Sequence, residues 1–141
     1  MTKRSDYPFS YTLRVRYSEI DAQSVVYNSH FVTYFDITIT EYLRHLNYDY
    51  SIEAMRKTGK DFHTVKVVVD YAAPGFYDDQ IHVHIRAGRV GRSSIQWQLA
   101  IFRNDEDEPI TTGEVVWVYA DMAAHKSEPL PEILREMLLE G

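Results

Sequence analysis

Asp21 is the residue of this chain best placed to do chemistry. It lies in Tyr17-Ser18-Glu19-Ile20-Asp21-Ala22-Gln23-Ser24-Val25-Val26-Tyr27-Asn28, between a stretch patterned as a strand and one patterned as a helix. A carboxylate so placed can take a proton from water or attack a carbonyl carbon itself. The start of a helix adds unpaired backbone N–H groups and the positive end of the helix dipole, both of which favour negative charge. A loop aspartate before a helix is also a common turn or cap residue, and Asn28 or Ser29 can serve as the N-cap. The residues alone leave both readings open.

The flanking elements follow from periodicity. Tyr11, Leu13, Val15 and Tyr17 alternate with Thr12, Arg14 and Arg16, which predicts a half-buried strand. Phe31, Tyr34, Phe35, Ile39, Tyr42, Leu43 and Leu46 recur at spacings of three and four, which predicts a helix from about Ser29 to Leu46. A shorter helix is expected over Ser51 to Thr58, with Ser51 as N-cap and Gly59 at the left-handed stop. Strands are then expected around Val65–Tyr71, Ile81–Ala87, Ile95–Ile101 and Val115–Tyr119, and Pro74-Gly75 marks a turn. In the first of these, Val65, Val67, Val69 and Tyr71 should share a face. Pro131 opens a last helix with Ile133, Leu134, Met137 and Leu138 on one side.

Consecutive strands joined by short turns imply antiparallel pairing, and a long helix with a wide apolar face needs a sheet to cover it. The expected fold class is therefore α+β, a curved five-stranded antiparallel sheet wrapped around one central helix. The 141 residues fit a single domain, 1–141. Such a sheet leaves open edges, which a second copy of the chain can cover.

Composition excludes several kinds of function. With no cysteine there is no disulfide, thiol nucleophile or thiolate metal site. A net charge of -6 argues against general nucleic-acid binding. No apolar run reaches the roughly 20 residues of a transmembrane helix, and nothing near Met1 reads as a secretory signal, so a cytoplasmic location is expected. His82 and His84 share a strand face with no apparent third ligand. Exposed polar alternation is expected there, and no metal site.

The motifs together resemble the acyl-CoA thioesterases of the hotdog fold, in particular the 4-hydroxybenzoyl-CoA thioesterase and Tol-Pal-associated thioesterase branch. Tyr17 to Asn28 resembles that family's aromatic-x-acid-x-Asp-x-x-Gly-x-Val-x-Asn pattern, and Asp70-Tyr71-Ala72-Ala73-Pro74 with Asp78-Asp79 resembles its Asp-Tyr-x-x-Pro and Asp-Asp elements. Val90-Gly91-Arg92-Ser93-Ser94-Ile95 resembles the turn into its next strand. Two positions depart from the pattern. Ser24 stands where many relatives have glycine, which would alter the loop path if that glycine uses positive φ, and Glu19 replaces a frequent aspartate.

The resemblance implies hydrolysis of an acyl-CoA to a carboxylic acid and free CoA, with no cofactor. Asp21 would be the essential carboxylate, acting either as base on a water or as nucleophile, and the Asn28 backbone N–H would be the oxyanion donor. Val26, Tyr27 and Phe31 would line the acyl pocket, although core packing is the favoured reading for at least one of the two aromatics. His63 and Thr64 would approach a site in a neighbouring subunit. Arg89, Arg92, Ser93 and Lys126 would hold the anionic CoA, or be ordinary surface polarity. The implied partner is a second copy, as a dimer or as a dimer of dimers, a homotetramer. A non-catalytic acyl-thioester-binding or assembly module is the alternative. A hotdog dehydratase or hydratase is disfavoured, since neither Asp-x-Asn-Pro-x-His nor His-Phe-Pro occurs.

Overall fold

The computed structural model describes residues 2–140. In chain order the elements are β1 (Phe9–Arg14), α1 (His30–His45), α2 (Ile52–Thr58), β2 (Lys60–Tyr71), β3 (Gln80–Val90), β4 (Ser94–Arg103), β5 (Pro109–Asp121), β6 (Lys126–Ser127) and α3 (Glu132–Glu140). The strands form one antiparallel sheet in the order β1-β3-β4-β5-β2. The expected five strands are all present. The sixth, β6, is a two-residue addition on the end of β5.

Alternation decides which side of the sheet faces α1. Ile81, Val83 and Ile85 of β3, with Ile95, Trp97, Leu99 and Ile101 of β4, are essentially inaccessible and pack against Phe31, Tyr34, Phe35, Ile39, Tyr42 and Leu43 of α1. Gly113 on β5 lets the helix come this close. A Cβ there would run into the Phe35 ring and the Val68 carbonyl. The shorter helix has the caps its sequence implied: the Ser51 hydroxyl accepts from the Ala54 N–H at 3.1 Å, and Gly59 takes φ 69°.

Three positions differ from expectation. The register of β2 on β5 shifts between Thr64 and Lys66, so Thr64 lies on the helix side while Val65, in the bulge, is exposed. His84 does face away from α1, yet it is buried. Residues 2–8 cross that outer surface and place the Tyr7 ring edge-on to His84 at 5.9 Å, with Phe102 on its other flank at 5.0 Å. Arg4 fastens this segment by donating to the carbonyls of Asn104 and Glu106, both at 2.7 Å. On α3, Leu134 and Leu138 are buried, but Ile133 is 59% exposed and does not join their face.

Candidate active site

The loop from Tyr17 to Asn28 is a small, tightly tied hairpin. Ile20 and Val26 form an isolated antiparallel bridge, and the Tyr27 N–H donates to the Glu19 carbonyl at 2.9 Å. At its tip the Asp21 N–H donates to the Val25 carbonyl and the Ser24 N–H to the Asp21 carbonyl. Ser24 adopts φ 64°, the left-handed conformation for which glycine is the usual choice. The loop thus bends at Ser24 in the way the related glycine suggests, with a side chain carrying the conformational cost.

Asp21 holds one of its oxygens against the Gln23 N–H at 2.8 Å. Its other oxygen meets no donor among the described residues, and the side chain is only partly covered. Glu19, two positions earlier, is the opposite case. It is 4% exposed and accepts from the Arg16 backbone N–H (2.9 Å), from Arg16 Nε and Nη2 (3.2 and 2.7 Å) and from the Tyr34 hydroxyl on α1 (2.8 Å). Burial pushes the Glu19 carboxyl upward, but the bonds from Arg16 and Tyr34 outweigh it and hold the group below the ordinary glutamate value. Tyr34 is in turn raised, first by burial and then by its bond to Glu19.

The start of α1 is open. Ser29 occupies the N-cap position without a side-chain cap bond. The first N–H groups of the helix close tight turns, His30 onto the Tyr27 carbonyl (3.0 Å), Phe31 onto Asn28 (3.3 Å) and Val32 onto Ser29 (3.2 Å). The Asn28 N–H donates to no acceptor among the described residues. A free donor at a helix N-terminus, on the return strand of the hairpin that carries Asp21, is a place where negative charge is stabilised.

The other sequence-identified residues divide by position. Val26 and Phe31 are buried, 4% and 3% exposed, around Gly75, and the Phe31 ring stands edge-on to Tyr34 and Tyr71. Tyr27 is half exposed and edge-on to His30. Thr64 lines a cavity of about 200 Å³ beside the first turns of α1, together with Val32, Thr33, Asp36, Ile39, Val67 and Val115. His63 pairs with Val118 on the opposite face of the sheet and is exposed.

Arg89, Arg92 and Ser93 are at the far end of the molecule. Gln80, where β3 begins, pairs with Arg14 just before the Asp21 loop, whereas Arg89 is near the end of β3 and Arg92 and Ser93 are in the turn after it. An 11-residue strand separates the two ends by about 35 Å. Arg92 donates to the Ser93 hydroxyl at 3.0 Å, and the Ser93 carbonyl accepts from Tyr119. Lys126, on β6, is exposed near that same end, where β6 pairs with the end of β5.

Comparison with known proteins bears on the fold and the family. The sequence profile of the thioesterase-like superfamily matches residues 15–138. The acyl-CoA thioester hydrolase YbgC of Escherichia coli O6:H1 is 29% identical over 124 residues, 88% of this chain and 90% of that one. Among solved structures, a hypothetical protein of Aquifex aeolicus superposes with a TM-score of 0.82 at 27% identity, covering 93% of this chain and 99% of that one. The 1,4-dihydroxy-2-naphthoyl-CoA thioesterase of Synechocystis superposes with a TM-score of 0.86 at 17% identity, covering 94% and 96%. With its helix-wrapping antiparallel sheet and its profile match across nearly the whole length, the chain has the hotdog fold and belongs to the thioesterase-like superfamily.

Proposed function

We propose that the protein hydrolyses acyl-CoA thioesters to a carboxylic acid and free CoA, with Asp21 and the Asn28 N–H as its working groups. The observation that carries this reading is the Asn28 N–H, which meets no acceptor among the described residues and sits beside the start of α1 on the hairpin that presents Asp21. Asp21 either takes a proton from water as the oxygen adds to the carbonyl carbon, or adds its own oxygen to give a mixed anhydride that water then cleaves. In both routes the carbonyl oxygen gains negative charge beside the Asn28 N–H, and the C–S bond breaks as CoA leaves, its sulfur taking the proton that Asp21 removed from water in the first route and a proton from solvent in the second. An oxyanion donor of this kind is worth about a hundredfold to a thousandfold in rate.

The substrate-binding half of the site is proposed to come from a second copy. β2 is an edge strand with Val65 and Val67 exposed, running from Lys60, near the Arg92 turn, to Tyr71, beside Asn28. Antiparallel pairing of β2 with its twin brings the Arg89–Ser93 turn of one copy toward the Asp21 loop of the other. The arginines can then meet the phosphates of CoA, and Thr64 the acyl group. A homodimer, or a dimer of dimers, acting on CoA thioesters in the cytoplasm is the assembly this reading requires.

The test is free-thiol release from short, long and aromatic acyl-CoA substrates by wild type and Asp21→Asn. Turnover of at least one thioester, lost in the folded variant, is the expected result. Unchanged activity in Asp21→Asn refutes its assignment. Binding without any turnover selects the alternative of an acyl-thioester-binding module.

A further inference from the structure

We propose that Tyr71 is a positioning residue for the oxyanion donor, its hydroxyl fixing the backbone at Asn28. This rests on the proposed role of the Asn28 N–H. Tyr71 is the last residue of β2, and its hydroxyl donates to the Asn28 carbonyl at 2.8 Å, across 43 positions of sequence. The ring is held edge-on to Phe31, with centroids 5.5 Å apart, and Phe31 is itself buried in the core. A rigid aromatic arm therefore reaches from the sheet to Asn28, whose N–H, like that of Ser29, meets no acceptor among the described residues.

The local hydrogen bonds show why such an arm is needed. The peptide preceding the Asn28 N–H is anchored on both sides: Tyr27 donates to Glu19 at 2.9 Å, and its carbonyl accepts from His30 at 3.0 Å. The peptide following Asn28 has only the long bond from the Phe31 N–H, 3.3 Å, within the backbone. Helix ends with weak first-turn bonds fray, and a donor that swings with them loses its preorganisation. The Tyr71 bond, 0.5 Å shorter by the difference of 3.3 and 2.8 Å, closes that side. Burial raises the Tyr71 phenol, which keeps it protonated and donating throughout the working pH range.

Tyr71→Phe removes the hydroxyl and retains the ring against Phe31, so a packing role alone predicts no loss. A positioning role predicts a fall in kcat of about tenfold, less than the loss of the donor itself, with KM within about twofold because ground-state binding does not use the oxyanion contact. Tyr71→Leu, which also removes the ring, is expected to lose at least as much kcat and to lower the unfolding midpoint as well. Wild-type kcat in Tyr71→Phe overturns the proposal, as does a loss in which KM rises and the midpoint falls together. Asp21→Asn in the same assay separates the two levels. If it is inactive while Tyr71→Phe is at wild-type rate, the active-site reading stands and this inference falls. A wild type that cleaves none of the thioesters overturns both.

Discussion

The base of the Tyr17–Asn28 hairpin and its tip carry two carboxylates only two positions apart, and they are treated in opposite ways. At the base, Glu19 is buried, ion-paired to Arg16 and bonded to Tyr34, so its capacity to accept is spent on joining the loop to α1. At the tip, Asp21 makes a single bond to the Gln23 N–H and keeps the rest of its carboxylate open. Neither position in the sequence distinguishes them. The lesson is that environment assigns the roles, with one acid holding the frame so that the other is left available.

Breaking the tip should give the largest effect. Asp21→Asn is expected to lower kcat at least a hundredfold, about 3 kcal/mol in barrier height, with little change in the urea midpoint. Breaking the base should do the reverse. Glu19→Gln removes the charge that the Arg16 and Tyr34 donors were built around, and a loss of about 2 kcal/mol in urea unfolding is expected. That loss should depend on pH. Because the folded Glu19 carboxyl sits below its ordinary value, its stabilisation is complete above the unfolded value of about 4.3 and disappears as pH falls through the folded one. Wild type and Glu19→Gln should therefore converge in stability on acidification below about pH 4, and a constant gap down to pH 2.5 would remove the charge from the explanation.

Tyr34→Phe subtracts a single donor from Glu19 and should cost about 1 kcal/mol by the same unfolding measurement. The smallest change sharpens the contrast from the other side. Ser24→Gly relieves a left-handed backbone at the tip and should raise stability by about 0.5 kcal/mol, a gain visible in thermal melts. No gain there would mean that the serine side chain offsets its own strain.

The elements were legible wherever a local period carried the signal. Alternation located β3 and β4, the three-and-four spacing located α1, and Ser51 and Gly59 marked the ends of α2. What escaped depends on contacts between distant parts of the chain. His84 has the spacing of a solvent-facing residue and is covered because Tyr7 folds over it beside Phe102. The bulge at Val65 reverses the phase within one strand, and nothing in the run of valines announces it. Within the site, the short motif did bring Asp21 and Asn28 together, since both lie on one hairpin. The burial of Glu19 and the reach of Tyr71 required knowing that α1 and the end of β2 converge there. Arg89, Arg92 and Ser93 lie a strand's length away within the chain, a separation that a linear pattern does not encode.

The segment that covers His84 has a consequence for the order in which the molecule is made. Arg4 is fastened to the carbonyls of Asn104 and Glu106, partners 100 and 102 positions downstream. A ribosome adding about 5–20 residues each second needs roughly 5–20 s to supply them. Throughout that interval Arg4 lacks these two acceptors, and once β3 and β4 have formed, Phe102 and His84 face water until residues 2–8 return. The seal on the back of the sheet is thus among the first parts of the chain to be synthesised and among the last to find its place.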